Sequence, residues 1–187
     1  MDTTIYTFLA TGFEEIEAFA VIDICRRAGI NVKTVSIVGE PEVVSVHGIK
    51  VIADTVFEEC DFSDASMLFL PGGMPGASNL NDHEGLRKVI MNHYEEDKPL
   101  AAICAAPMVF GTLGILEDVK ATCYPGFDKF LTGAEHTGNI IEEDGLFITG
   151  KGPGAAFALG YAIVEKFCGK ETADALREGM IYNEMAK

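Results

Sequence analysis

The segment LAAICAAP at residues 100–107 combines residue types that suit nucleophilic catalysis. Apolar Leu100–Ile103 predicts a buried strand, Cys104 follows at once between small residues, and Pro107 suits the first turn of a helix. A sharp strand-to-helix turn of this kind exposes a nucleophile, as in a nucleophile elbow. We expect the nearby helix N-terminus to favour a thiolate. A buried structural cysteine flanked by alanines is the alternative.

Glu17 is the candidate proton-transfer group. It lies in the acidic first turn of a predicted helix, where carboxylates commonly do no more than compensate the helix dipole. It also neighbours apolar Phe13, Ala20 and Val21, so its side chain can point inward. An inward carboxyl without a basic partner must be protonated or hydrogen-bonded, and a protonated one can donate to the Cys104 sulfur. The residues leave the solvated and the inward positions open.

Two glycine-rich loops could present backbone N–H groups to a ligand. LPGGMPGA at residues 70–77 follows a buried apolar run, and its double glycine suits half of an oxyanion hole or simply a tight turn. TGKGPGAA at residues 149–156 resembles a phosphate loop, but its spacing is wrong. Neither loop has the spacing of a nucleotide-binding motif, so no cofactor is expected.

The metal-ligating residue types are scattered along the chain. The cysteines are Cys25, Cys60, Cys104, Cys123 and Cys168, and the histidines are His47, His83, His93 and His136. The cysteines form no CxxC pair and the histidines no helical pair, so we expect neither a disulfide framework nor a metal site. His83 and His93 fall in a polar helical segment, where solvated side chains are expected.

Alternating strand-like and helix-like segments must position these groups. Strands are predicted at Ile5–Ala10, Asn31–Val38, Ser66–Leu70, Leu100–Ile103, Lys120–Tyr124 and Asn139–Thr149, the last either as one strand or as a hairpin across Glu143–Gly145, with a further hairpin at Glu42–Ala53. Helices are predicted at Glu14–Ala28, Asp82–Tyr94, Ala106–Leu113, Ala155–Phe167 and Glu171–Met180. The pattern predicts a single α/β domain over residues 1–187, with a mostly parallel sheet covered on both faces. The site is expected beyond the carboxyl ends of the strands, in loops 11–17, 71–76 and 104–107.

Composition narrows the possible partners. The 187 residues carry 14 Lys+Arg against 29 Asp+Glu, a net charge of −15, so nucleic acid and anionic membrane surfaces are not expected partners. No apolar run is long enough to span a bilayer, and the N-terminal segment begins with an acid where a signal peptide needs bases. We expect a cytoplasmic protein.

Five segments together resemble the ThiJ/PfpI superfamily, and within it the branch of the parkinsonism-associated protein deglycase and its bacterial relatives. They are GFEEIEA at 12–18, RRAGI at 26–30, LPGGMPGA at 70–77, AAICAAP at 101–107 and GPG at 152–154. The resemblance covers almost the whole chain in order. It implies a flavodoxin-like three-layer sandwich and a homodimer.

The same resemblance implies roles for individual residues. Cys104 would be the nucleophile and Glu17 the carboxyl group bonded to it, while the N–H groups of Gly73 and Ala105 would form the oxyanion pocket. Pro153 would line that pocket. Three further residues are expected at the pocket rim: Arg27, His47 and Tyr124.

The function implied is a cofactor-independent, cysteine-dependent glyoxalase or deglycase. Such an enzyme, a hydrolase or lyase, would act on methylglyoxal, glyoxal or their early adducts with amines and thiols. The alternative is an oxidative-stress sensor or chaperone that works through oxidation of Cys104. Peptidase activity is not expected, because the peptidase branch has His where this chain has Ala105. At the pocket rim, this chain differs from the best-known member of the family at two positions: Tyr124 replaces a His, and His47 replaces an Arg.

Overall fold

A seven-stranded sheet forms the centre of the protein. The computed structural model describes residues 3–184. Met1, Asp2 and residues 185–187 lie outside the described residues, although the predictions about a signal peptide and about the extent of the domain include them. The strands are β1 (Thr4–Leu9), β2 (Asn31–Ser36), β3 (Glu42–Val44), β4 (Lys50–Ile52), β5 (Thr55–Val56), β6 (Ala65–Leu70), β7 (Leu100–Ile103), β8 (Lys120–Ala121), β9 (Glu135–His136), β10 (Ile141–Asp144) and β11 (Phe147–Gly150). The main sheet has the order β10-β11-β7-β6-β1-β2-β5. Only β10 runs antiparallel to its neighbour in that sheet.

Helices cover both faces of this sheet. They are α1 (Glu15–Arg27), α2 (Gly76–Asp82), α3 (Glu84–Glu95), α4 (Pro107–Leu113), α5 (Ala156–Cys168) and α6 (Lys170–Gly179). The crossover β1–α1–β2 runs across the sheet in the opposite direction to β6–α2–α3–β7. Because parallel crossovers are right-handed, these two connections place their helices on opposite faces. Helix α5 packs on α1, whereas α2, α3 and α4 pack on one another, which gives the predicted three layers.

The central strands are buried on both faces, and for this reason they read as continuous apolar runs rather than alternating ones. Every residue of β1 and β7 is buried, and the largest fully buried side chains include Tyr161, Phe8 and Phe69. Strands β1, β6, β7 and β11 are parallel, so their carboxyl ends lie at the same edge. Four loops, rather than the three predicted, therefore meet there: 10–17, 71–76, 104–107 and 151–155.

Two predicted elements begin or end differently from the prediction. The helix predicted at Asp82–Tyr94 is α3, which begins at Glu84 because His83 is extended and its Nδ1 caps α3 by accepting from Leu86 N at 2.9 Å; the short helix α2 before it was not predicted. The strand predicted at Lys120–Tyr124 ends at Ala121. Two of its remaining residues bond elsewhere: Thr122 N donates to Thr149 Oγ1 of β11 at 2.9 Å, and Tyr124 N donates to Cys104 O at 2.8 Å.

The expectation that His93 is solvated is wrong. Its side chain is buried at the end of α3, where Nε2 lies 3.1 Å from Pro99 O. Burial disfavours the imidazolium and lowers the pKa of His93 to about 4, against the smaller opposing effect of that hydrogen bond. His93 therefore closes the turn between α3 and β7. Among the helices of residues 3–184, none has the length and apolar character needed to cross a membrane.

Candidate active site

Cys104 occupies a sharp turn between β7 and α4. Its φ is +64°, in the left-handed region that costs a non-glycine residue roughly 1–2 kcal/mol. The turn is fixed on both sides: Cys104 N donates to Gly150 O at 2.8 Å, and Cys104 O accepts from Tyr124 N at 2.8 Å. The predicted elbow is therefore present, with the residue 8% exposed.

Glu17 points inward from the first turn of α1. Its side chain is fully buried, and Oε2 accepts from Gly72 N at 2.8 Å. Oε1 is also buried and has no hydrogen-bond partner at standard geometry within residues 3–184. The carboxyl is nevertheless close enough to the Cys104 thiol for each group to change the pKa of the other. Of the two positions that the sequence left open, the structure has the inward one.

Gly72 and Gly73 bring the backbone against this pair. A Cβ on Gly72 would lie 2.6 Å from Glu17 Oε2 and 2.7 Å from Cys104 Cβ, so any side chain there would clash with both groups. Gly73 has φ +87°, and a Cβ there would lie 2.5 Å from Glu14 N. The absence of side chains lets the backbone N–H of Gly73 come close enough to the Cys104 sulfur to lower the pKa of the thiol. The N–H of Ala105, the next residue along the chain, acts on the thiol in the same direction.

Burial dominates the electrostatics of the pair. It raises the pKa of Glu17 to about 7, and the charge of Glu14 acts in the same direction, whereas the neighbouring Cys104 thiol and the hydrogen bond from Gly72 N–H oppose the rise. Burial also raises the pKa of Cys104 to about 12, and the Glu17 carboxylate adds to this, against the two backbone N–H groups. The expectation of a favoured thiolate is therefore wrong for the resting pair. A helix terminus is too weak to offset burial beside a carboxylate.

A second carboxylate fixes the hairpin next to the site. Glu15 accepts hydrogen bonds from the Ser45 hydroxyl and from His47 N, and its Oε2 lies 2.7 Å from His47 Nδ1. Burial raises the pKa of Glu15, but these hydrogen bonds outweigh it and lower the pKa to about 2. The same hydrogen bond raises the pKa of His47. The ion pair holds the turn after β3 against the start of α1.

The remaining predicted rim residues lie at different distances from Cys104. Tyr124 is bonded to it through the backbone, and Pro153 lies in the turn after β11, beside Tyr124 in one groove. Arg27, by contrast, is ten residues beyond Glu17 on α1, about 15 Å along the helix, and pairs with Asp23 at 2.7 Å. Within a single chain Arg27 is therefore not part of the pocket.

The sequence similarities agree with this geometry. A model of the DJ-1/PfpI family matches residues 3–166. The chain belongs to the DJ-1/PfpI family. Among curated members, protein DJ-1 homolog B of Arabidopsis thaliana is 38% identical over 88% of the chain. The chain spans only 38% of that plant protein's length. A glutathione-independent glyoxalase of Caenorhabditis elegans is 30% identical over 87% of both proteins.

Solved structures of the family have the same fold. A cysteine-to-alanine mutant of a DJ-1 superfamily protein from Salmonella typhimurium superposes with a TM-score of 0.92 at 28% identity, over 96% of this chain and 98% of that one. Toxoplasma gondii DJ-1, in an oxidized form, also has a TM-score of 0.92, at 29% identity over 96% and 98%. The flavodoxin-like α/β fold expected from the family resemblance is confirmed.

The sequence did not indicate one group of possible metal ligands. Glu14, Glu15 and His47 each place one ligand atom within 4.8 Å of the others. The two carboxylates already have partners, since Glu14 Oε2 accepts from Glu17 N at 2.8 Å and Glu15 binds Ser45 and His47. Because His47 is on a hairpin about thirty residues from the two glutamates, no local spacing reveals this group.

Proposed function

We propose that this protein is a cofactor-independent glyoxalase that converts 2-oxoaldehydes such as methylglyoxal and glyoxal into hydroxy acids, and that also acts on their early adducts with amines and thiols. One observation carries the proposal: Cys104 and the buried Glu17 carboxyl meet at Gly72, where a Cβ would lie 2.6 Å from Glu17 Oε2 and 2.7 Å from Cys104 Cβ, and the N–H groups of Gly73 and Ala105 act on the same thiol. The similarity to a glutathione-independent glyoxalase of Caenorhabditis elegans supports the reaction class.

The first step joins the thiol to the aldehyde. Glu17 takes the proton of Cys104 while the sulfur attacks the aldehyde carbon and forms a C–S bond. The carbonyl π electrons move to oxygen, where the N–H groups of Gly73 and Ala105 stabilise the negative charge. Glu17 then returns the proton to that oxygen, which leaves a neutral hemithioacetal. A Glu17 pKa of about 7 suits both transfers near neutral pH.

The second step moves a proton between adjacent carbons. Glu17 removes the proton from the carbon that carries sulfur, and the electron pair moves toward the neighbouring carbonyl oxygen to form an enediolate. The hydroxyl proton of the first carbon passes to the oxygen of the second, and Glu17 returns its proton to the second carbon, which gives a 2-hydroxy thioester. Water then attacks the thioester carbon, the C–S bond breaks, and the sulfur recovers a proton as the hydroxy acid leaves. Methylglyoxal thus yields lactate, with no net oxidation.

The test is methylglyoxal consumption with lactate measured by a coupled assay. Wild type should form lactate, and Cys104→Ser and Glu17→Gln should each reduce the rate at least about a thousandfold. Cys60→Ser, which removes a half-buried thiol elsewhere, should keep the wild-type rate. Circular dichroism shows whether each variant is folded. Full activity in either site variant would disprove the mechanism.

Action on adducts needs a separate measurement. The hemithioacetal formed by methylglyoxal with a small thiol already contains the C–S bond, and the protein can act on it only by exchanging that thiol for Cys104. If the protein takes the adduct directly, as proposed, pre-formed adduct should disappear faster than free methylglyoxal is released spontaneously; loss no faster than that release would contradict this part of the proposal. A protein-dependent rate above the spontaneous release rate would establish deglycase activity.

Oxidation of Cys104 is the second candidate function. Glu17 Oε1 is buried beside the thiol without a hydrogen-bond partner in the described residues, so a protonated Glu17 could donate to a sulfinate. Two equivalents of hydrogen peroxide would supply the two oxygens and leave as water. Mass spectrometry after mild peroxide should then locate both oxygens on Cys104, with a gain in client-holding activity. Oxidation scattered over the five cysteines would exclude a sensor.

We also propose that two copies of the chain pair through the surface around the start of α1. Ile16 on α1 and Val46 and Ile49 on the neighbouring turn are exposed, and Val46 N donates to Phe13 O at 2.8 Å, which places the turn beside the helix. Clustered exposed apolar side chains favour association. Light scattering should give a dimer mass, and Ile49→Asp should shift it toward the monomer.

A further inference from the structure

An apolar groove runs along one side of the Cys104 turn. Its volume is about 260 Å³, and the exposed side chains of Tyr124 (47%) and Ile140 (59%) form part of its walls. The described residues that line it, none of which is acidic, are Tyr124, Pro125, Ile140, Lys151, Gly152, Pro153, Gly154 and Ala155. The reaction proposed above uses none of these side chains.

Backbone hydrogen bonds fix both walls of the groove to the reactive residue. Tyr124 N donates to Cys104 O at 2.8 Å, and Cys104 N donates to Gly150 O, the residue directly before the Lys151–Ala155 wall, also at 2.8 Å. The Tyr124 ring packs over Gly152 in the Lys151–Ala155 wall, since a Cβ added to Gly152 would lie 3.2 Å from Cδ2 of Tyr124. The groove therefore lies directly beside the main chain of the Cys104 turn.

The one cation of the groove is bonded to the protein. Lys151 Nζ donates to Gly138 O at 2.8 Å, and Lys151 N donates to Ile140 O at 3.0 Å. These two bonds hold the segment that presents the Ile140 side chain. With its only charge engaged in this way, the groove offers a ligand mainly aromatic and aliphatic surface.

We propose that this groove receives the substituent of the carbonyl substrate and selects aryl 2-oxoaldehydes over methylglyoxal, with Tyr124 and Ile140 as the specificity-determining residues. The inference rests on the proposed function, because the aldehyde carbon must be at Cys104. A methyl group leaves most of the groove empty, whereas an apolar cavity of about 150 Å³ holds benzene. A phenyl ring therefore fits beside the Tyr124 ring, in an offset or edge arrangement.

The first experiment compares kcat/KM for phenylglyoxal and methylglyoxal. In Tyr124→Ala and Ile140→Ala the phenylglyoxal-to-methylglyoxal ratio should fall about tenfold, because the aryl contact is lost. Tyr124→Phe should keep the wild-type ratio, since the ring and not the hydroxyl makes the contact. Ile181→Ala, which truncates an equally exposed isoleucine elsewhere, is the matched control and should keep it too. An unchanged ratio in both groove variants would overturn the proposal.

The second experiment needs no turnover. Iodoacetamide and its N-phenyl derivative both alkylate Cys104. In each reaction the sulfur forms a C–S bond, iodide leaves and the thiol proton passes to solvent. The increase in intact mass with time gives the rate for each reagent. The N-phenyl-to-parent rate ratio should fall several-fold in Tyr124→Ala and stay constant in Tyr124→Phe. If this dependence on Tyr124 appears without oxoaldehyde turnover, the groove proposal is supported and the glyoxalase proposal is wrong. If turnover occurs but neither experiment depends on Tyr124, the glyoxalase proposal is supported and the groove proposal is wrong.

Discussion

The buried carboxyl of Glu17 should make the stability of the protein depend on pH in a way that one substitution removes. Burial first, and the charge of Glu14, raise the pKa of Glu17 from 4.5 to about 7. Between these values the unfolded chain loses a proton that the folded protein retains, so the free energy of unfolding falls as pH rises and levels off above pH 7. Since a change of one in pKa equals about 1.36 kcal/mol, the loss is about 3 kcal/mol.

Glu17→Gln cannot ionise and should not show this loss. Going from pH 4.5 to pH 8, the variant should therefore gain about 3 kcal/mol relative to wild type, or about 6–12 °C in relative melting temperature for a chain of this size. Urea unfolding at several pH values measures the difference, with Glu58→Gln, which changes an exposed carboxyl, as the control. His93 contributes in the opposite direction as pH rises from about 4, but equally in both proteins. Parallel stability curves for wild type and Glu17→Gln would refute the reasoning.

Three further outcomes follow from the same contacts. Gly72→Ala should cost about 1–3 kcal/mol of stability and most of the activity, because its Cβ would lie 2.6 Å from Glu17 Oε2; Gly154→Ala, with open space around it, should unfold like wild type in urea. In wild type the free energy of unfolding should fall as pH drops from 4.5 to about 2, because the lowered pKa of Glu15 stabilises the fold above that range. Glu15→Gln should make this fall smaller; an unchanged fall in an acid titration would contradict this. At pH 8, iodoacetamide should alkylate Cys104 faster in Glu17→Gln than in wild type, because the carboxylate that raises the thiol pKa is gone; a slower rate would argue against that cause.

The elements that carry the site were predictable because their signals are local. Leu100–Ile103 has the bounds expected from its apolar run, and the cysteine that follows it forms an elbow. The double glycine at 72 and 73 lies beside it, as the topology of a parallel sheet requires. Helical spacing left two positions for the Glu17 side chain, one facing solvent and one facing inward. The structure has the inward position, in which Glu17 accepts a hydrogen bond from Gly72 N.

What the sequence did not predict depends on contacts between distant residues. The high pKa of the Cys104 thiol arises from burial next to Glu17, whereas the sequence indicated only the helix terminus. The turn after β11, which only the family resemblance through Pro153 had linked to the pocket, joins the site because strand pairing puts Gly150 opposite Ile103. His93 is buried because Pro99 O lies within reach of its ring, although the polarity of the surrounding helix favoured a solvated side chain.

The way the Cys104 turn is held has a consequence for how such a site can diversify. Its two fixing bonds use only main-chain atoms of Gly150 and Tyr124. Every amino acid except proline can supply the N–H at position 124, so the side chain there can change in size and polarity while Cys104 keeps its conformation. Under the proposed function, substrate range and chemistry are therefore separable traits in this scaffold: a mutation at position 124 would change which carbonyl compounds bind and leave the Cys104 turn intact.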